Sequence, residues 1–132
     1  MARWLAFLWS GVIAFLLTLP ASELPALPSF VPHVVARYAD KGVHLGLFAI
    51  MTLLIAEAGG GLRAYWTIAL VTAYGGLLEV VQGWIPGRDP SWGDLAADCA
   101  GAVLAVAIWH WLVRRRRRKV NGHHGPRAAS NG

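Results

Sequence analysis

Four long apolar segments dominate the 132-residue chain, and they restrict its possible folds more than any other feature. Hydrophobic residues make up 56% of the chain and charged residues only 14%, against about 25% charged residues in soluble domains. A helix needs about 20 mostly apolar residues to cross the hydrocarbon core of a bilayer. The sequence therefore predicts an all-α integral membrane protein and argues against a water-soluble domain.

Proline and glycine residues set the bounds of these segments. Pro20 ends the first segment, the glycines at 59–61 end the second and Pro86 ends the third, because neither residue type continues a helix well. The predicted membrane spans are 4–19, 42–58, 64–85 and 94–113. We expect one domain over residues 1–119, a bundle of four transmembrane helices, followed by a disordered tail over residues 120–132.

The first apolar segment has a second interpretation, a cleaved secretory signal peptide. Arg3, the apolar run and the small residues at 21–22 have the general form of such a peptide. However, Leu19 occupies a position where the signal peptidase prefers a small residue. We therefore favour a retained membrane span.

The distribution of Lys and Arg predicts the orientation of the bundle. Basic residues concentrate in the cytoplasmic loops of membrane proteins. Nine of the twelve basic residues fall on one side of the predicted spans, six of them in the run 114–119, and only Arg37, Lys41 and Arg88 fall on the other side. Both termini are therefore predicted to be cytoplasmic. The run 114–119 is interpreted as an anchor to anionic lipids rather than a nucleic-acid site.

Polar residues at the edges of the spans fall in two short stretches of the chain. In chain order they are Asp40, Lys41, His44, Glu79, Gln82, Arg88, Ser91, Asp94 and Asp98. With the predicted topology, both stretches lie at the extracytoplasmic end of the bundle. Spacings of three and four residues place Glu79 with Gln82, and Asp94 with Asp98, on shared helix faces. Several ionisable groups that converge in a membrane protein usually mark a functional site.

The favoured hypothesis for this site is ligand binding. Lys41 and Arg88 are expected to hold the phosphate or another anionic group of a lipid or a cell-envelope intermediate, since Arg pairs bidentately with phosphate and Lys adds a point charge. Glu79, Gln82 and His44 are expected to hydrogen-bond the polar part of this ligand. The remaining ligand-binding candidates are Asp40, Ser91, Asp94 and Asp98.

A second hypothesis makes the protein a membrane enzyme that acts on such a lipid. His44 and Glu79 are then the candidate acid–base residues, and Lys41 and Arg88 stabilise developing negative charge. The sequence contains no nucleophile elbow, no strong metal-ligand spacing and no Gly-rich phosphate loop. Binding is therefore favoured over catalysis, and neither a metal ion nor a cofactor is predicted.

A third hypothesis gives the polar residues a purely structural or partner-binding role, in which they lock the helices together. Asp40 has the position of a helix N-cap, and Ser91 with Asp94 has the spacing of a capping box. Small residues favour close helix packing at three places: Gly42-x-x-x-Gly46, Gly75-Gly76 and Ala97-x-x-x-Gly101-x-x-x-Ala105.

Four motifs follow one another between residues 40 and 101. They are Asp40-Lys41-x-x-His44, Glu79-x-x-Gln82, Pro86-Gly87-Arg88-x-x-Ser91-x-x-Asp94 and Gly101. As a set they resemble the VanZ-like family of small bacterial membrane proteins, which is named for a member associated with resistance to the glycopeptide teicoplanin. The resemblance implies a place in the cell membrane and a link to the cell envelope and to glycopeptide resistance. Asp98 departs from the family pattern, which has Asn at that position.

Overall fold

The computed structural model describes residues 1–23, 32–59 and 63–122, and these residues form helices joined by short connections. The helices are α1 (Ala2–Thr18), a short 3₁₀ helix (Ala21–Glu23), α2 (His33–Gly59), α3 (Ala64–Gln82) and α4 (Trp92–Gly122). The all-α prediction is confirmed. Helices α2, α3 and α4 are long and apolar enough to cross a membrane, whereas α1, with 17 residues, is shorter.

Two helices extend beyond the predicted spans. Helix α2 begins at His33, so Asp40 lies within the helix, and the prediction that Asp40 is its N-cap is wrong. Helix α4 continues through the basic run as far as Gly122. The rest of the predicted disordered tail, residues 123–132, lies outside the described residues.

Helices α2 and α4 run parallel and form the most extensive helix contact in the bundle. Lys41 Nζ lies 2.8 Å from Asp94 Oδ1. About one turn further along both helices, His44 Nδ1 lies 2.9 Å from Asp98 Oδ1. Since the paired residue numbers rise together, both helices begin at the same end of the bundle. That end therefore receives polar groups from α2 and α4 together.

Helix α1 is fastened to the bundle along its length. Its buried side chains include Ile13 and Leu17, which belong to the hydrophobic core. Trp9 Nε1 donates a hydrogen bond to the carbonyl of Leu47 in α2 at 3.0 Å. The hydroxyl of Tyr74 in α3 donates to the carbonyl of Ser10 at 2.6 Å. Helix α1 is thus an integral part of the bundle.

The distribution of polar and apolar side chains is inverted relative to a water-soluble bundle. Almost half of the fully buried residues are polar or charged, while many Trp, Phe and Leu side chains cover the outside. Apolar side chains on the outside of a bundle suit contact with lipid. Polar groups inside it find the partners that lipid cannot supply. The packing therefore supports a membrane location independently of hydropathy.

Glycine makes room for a neighbouring helix at two of the three predicted places, for backbone atoms at Gly101 and for a side chain at Gly75. A Cβ atom at Gly101 would collide with the carbonyl of Leu45 in α2, and one at Gly75 would collide with the carboxylate of Asp98 in α4. The prediction for Gly42 and Gly46 is wrong, because a Cβ atom at either position would meet no described residue within 4 Å. Helix α4 thus approaches α2 and α3 through small residues at the level of the buried polar groups.

Candidate functional site

Polar side chains from three helices meet at one end of the bundle. Helix α2 contributes residues from its first half, α3 from its last turn and α4 from its first two turns. We call this group the polar cluster; it consists of Asp40, Lys41, His44, Glu79, Ser91, Asp94 and Asp98. The two polar stretches of the sequence therefore do converge, as their spacing predicted.

The deepest contact of the polar cluster joins His44 and Asp98. His44 Nδ1 lies 2.9 Å from Asp98 Oδ1, and the two side chains are only 2% and 1% exposed. A carboxylate that holds one ring nitrogen orients the imidazole and leaves Nε2 for another partner, as in general-base catalysis. The sequence placed both residues at this end of the bundle but did not pair them with each other.

An ion pair lies nearer the end of the bundle. Lys41 Nζ contacts Asp94 Oδ1 at 2.8 Å and Ser91 Oγ at 3.5 Å. The Lys41 side chain is partly exposed and that of Asp94 is mostly buried. Much of the positive charge expected to bind an anionic ligand is therefore already compensated within the protein.

Glu79 connects α3 to the start of α4. Its Oε2 accepts a hydrogen bond from the backbone N–H of Ser91 at 2.6 Å. The predicted capping box is thus replaced by a tertiary cap, because Glu79 takes the contact expected of Asp94, and Asp94 turns to Lys41 instead. A carboxylate near the N-terminus of a helix also stabilises it through the helix dipole.

Two predicted ligand-binding residues make contacts elsewhere. Gln82 Nε2 donates to the carbonyl of Leu17 at 2.7 Å, and Arg88 Nε donates to the carbonyl of Leu19 at 3.1 Å. Carbonyls at a helix C-terminus lack intrahelical partners, so both side chains fasten the end of α1. The preceding Gly87 has a φ of 78°, a conformation that glycine adopts readily and that turns the chain at this loop.

The polar cluster carries more negative than positive groups. Its carboxylates come from Asp40, Glu79, Asp94 and Asp98, whereas Lys41 is its one permanently charged cation. Two sets of three residues place ligand atoms within 4.8 Å of one another: Asp40 with His44 and Asp94, and His44 with Glu79 and Asp98. His44 belongs to both sets and therefore lies at the centre of the cluster.

A cavity of about 370 Å³ lies beside the polar cluster, between the end of α3 and the start of α4. Its lining residues are Gly76, Glu79, Val80, Pro90, Ser91, Trp92 and Leu95. Glu79 and Ser91 supply the polar part of this lining, and the remaining walls are apolar. The cavity could not be predicted from the sequence, because the apolar residues that line a pocket cannot be distinguished in sequence from those that face lipid.

Comparison of the chain with protein families, with curated proteins and with solved structures finds no match. The arrangement of the residues themselves therefore carries the functional argument.

Proposed function

We propose that this is a four-span bacterial membrane protein of the VanZ-like type that binds an amphipathic lipid of the cell envelope. In this proposal both termini are cytoplasmic and the polar cluster faces the extracytoplasmic side. The motif set between residues 40 and 101 supports the family assignment. The proposal includes a link to glycopeptide resistance, which follows from that resemblance alone.

The cavity between α3 and α4 is the observation that carries the lipid-binding proposal. Its walls are mostly apolar, and its polar lining residues, Glu79 and Ser91, belong to the polar cluster. Val80 and Trp92 are strongly exposed on the outside of the bundle, so the cavity borders the surface that contacts lipid. A chamber with apolar walls and a polar end matches a ligand with an acyl or prenyl chain and a polar headgroup.

Carboxylates outnumber cations at this polar end, so its contacts favour a headgroup rich in hydrogen-bond donors, with room for one phosphate beside Lys41. Lys41 Nζ lies 3.5 Å from Ser91 Oγ, at the border of the cavity, and it can donate to a phosphate oxygen. The N-terminus of α4 adds the positive end of a helix dipole. The Glu79 carboxylate, which lines the cavity, can accept from a hydroxyl or amine. A lipid phosphate that carries sugar or amine groups fits this combination.

We expect that filling the cavity removes bound lipid. A Cβ atom at Gly76 would lie 3.7 Å from Leu95 Cδ1, which is ordinary contact, so Gly76→Leu projects its side chain into the cavity without a backbone collision. Native mass spectrometry of the gently purified protein should show at least about a tenfold loss of bound lipid, equivalent to about 1.4 kcal/mol of binding free energy.

The matched control is Gly11→Leu, because a Cβ atom at the exposed Gly11 in α1 would meet nothing within 4 Å. This variant should retain the lipid of the unmodified protein. If Gly76→Leu retains the same lipid in the same amount, the cavity is not its binding site and the proposal fails.

The proposed orientation predicts a specific labelling pattern. Asp89, in the loop between α3 and α4, and Arg63, just before α3, are exposed at opposite ends of the bundle. In a Cys99→Ala background, a membrane-impermeant maleimide should label Asp89→Cys in intact cells and should label Arg63→Cys only after the membrane is opened. The reverse pattern would place the polar cluster on the cytoplasmic side.

A further inference from the structure

Two buried carboxylates in the polar cluster are only partly satisfied. Glu79 is 7% exposed and Asp98 is 1% exposed. Glu79 Oε1 and Asp98 Oδ2 are both buried, and neither has a hydrogen-bond partner among the described residues. Buried polar atoms are normally paired, and an unpaired buried charge is especially costly. These two oxygens therefore call for a positively charged or hydrogen-bearing partner.

The unsatisfied oxygens belong to residues that are arranged around a common point. One ligand atom each from His44, Glu79 and Asp98 lies within 4.8 Å of the other two. Ligands about 2.1 Å from a tetrahedral ion are separated by about 3.4 Å, so small side-chain rotations bring all three onto one ion. The 2.9 Å between His44 Nδ1 and Asp98 Oδ1 is a hydrogen-bond distance, so these two atoms must separate slightly to admit an ion.

We propose that His44, Glu79 and Asp98 bind one divalent transition-metal ion. A neutral imidazole with two carboxylates is a donor set that suits Zn²⁺ or Mn²⁺. Two negative ligands balance the charge of a divalent ion, so the occupied site is neutral within the bundle. Three protein ligands also leave coordination positions for water or for an oxygen of a bound molecule.

The second set, which includes Asp40 and Asp94, is the weaker candidate. Asp94 already has a cation, since Lys41 Nζ lies 2.8 Å from its Oδ1. Asp40 is exposed, so water can satisfy its carboxylate. The deeper set has no lysine or arginine ion pair within the part of the chain that the structure describes. Its carboxylates therefore have the greater need for a metal ion.

Gly75 supports the same assignment from the neighbouring helix. A Cβ atom at this position would collide with Asp98 Oδ2, one of the two unsatisfied oxygens. The absence of a side chain at Gly75 thus lets the Asp98 carboxylate reach the interior between α2 and α3. Replacing this glycine would close the space that the carboxylate occupies.

The metal proposal goes beyond lipid binding and can fail separately from it. His44 and Asp98 do not line the cavity between α3 and α4, so their variants test the metal site without filling the lipid site. Conversely, Gly76→Leu fills the cavity without replacing any of the three metal ligands, of which only Glu79 also lines the cavity.

The test measures metal binding by the full chain in detergent micelles. The protein carries His123→Ala and His124→Ala, because a histidine pair is itself a ligand for Zn²⁺. After treatment with a chelator, Zn²⁺ or Mn²⁺ is titrated in by isothermal calorimetry, and the retained metal is counted by mass spectrometry. The expected result is one tightly bound ion per chain.

Variants of the ligands locate the ion. Asp98→Asn and Glu79→Gln should each weaken binding by at least about 10- to 100-fold, a loss typical even of residues that only support a metal ligand. Glu79→Gln can still accept the Ser91 N–H through its amide oxygen, so it keeps the test valid if Asp98→Asn does not fold. Binding should be unchanged in Glu57→Gln, a carboxylate control at the other end of α2, and in Asp40→Asn.

Three outcomes would overturn the proposal. One is that folded protein binds neither ion stoichiometrically, which would indicate that protons, not a metal ion, satisfy the buried oxygens. Another is full affinity in both Asp98→Asn and Glu79→Gln. The third is a loss of metal binding in Asp40→Asn together with unchanged metal binding in Glu79→Gln. That result would assign the ion to the set formed by Asp40, His44 and Asp94.

Discussion

Replacing His44 with leucine is expected to lower the free energy of unfolding in detergent by about 1–3 kcal/mol, the usual cost of leaving a buried polar group without its hydrogen-bond partner. The change deprives Asp98 of the hydrogen bond at its Oδ1, and this side chain is only 1% exposed. Its Oδ2 already lacks a hydrogen-bond partner among the described residues. The carboxylate would then be buried without the charged or polar neighbour that now compensates it.

The free energy is measured by reversible unfolding in mixed micelles that contain a chelator, so that no metal ion contributes. His110→Leu is the matched control, because His110 is an exposed residue of α4, and surface changes of this kind usually stay within about 0.5 kcal/mol. The double variant His44→Leu/Asp98→Asn should be more stable than His44→Leu alone, since it removes the stranded charge. Equal losses for His44→Leu and His110→Leu would show that the buried pair does not stabilise the bundle.

Adding one methyl group at Gly101 is expected to destabilise the protein by about 1–3 kcal/mol, the range found for overpacked interiors. A Cβ atom there would meet the Leu45 carbonyl and the Ala49 backbone nitrogen. Because these are backbone atoms, α2 and α4 must separate along their shared interface. This loss opposes the intrinsic preference of helices for Ala over Gly, which is about 1 kcal/mol.

Gly46→Ala provides the control for Gly101→Ala on the facing helix. A Cβ atom at Gly46 would meet nothing within 4 Å, so this variant should be as stable as the unmodified protein or slightly more stable. The measurement is the thermal unfolding midpoint of both variants in the same detergent. A similar shift in both would contradict the close approach of α2 and α4 at Gly101.

The sequence was sufficient to place the charged residues at one end of the bundle, but it did not determine which of them pair. Spacing along a helix determines which residues share a face, and it placed Glu79 with Gln82 correctly on one helix. It does not determine which neighbouring helix that face meets. Thus Gln82 bonds to Leu17 of α1, while Glu79 bonds to Ser91 at the start of α4. The partners depend on how the helices pack, which is a property of the whole bundle.

Glycine spacing had the same limit. The pairs at Gly42 and Gly46 and at Ala97 and Gly101 were equivalent in sequence, yet of these three glycines only Gly101 meets another backbone among the described residues. A small residue permits close approach, and the rotation of each helix about its axis selects which small residue is used. That rotation follows from side-chain packing over the full length of the helices.

Taken by itself, the amino-acid sequence determined the helical class, the approximate helix bounds and the end of the bundle where polar groups collect. Those properties depend on hydropathy and on local turn chemistry, which act over about 20 neighbouring residues. The tertiary structure decided that His44 pairs with Asp98, that Lys41 pairs with Asp94 and that a cavity lies beside Glu79. Each of these contacts joins residues distant in sequence, so each depends on the parallel packing of α2 and α4 or on the junction of α3 with α4.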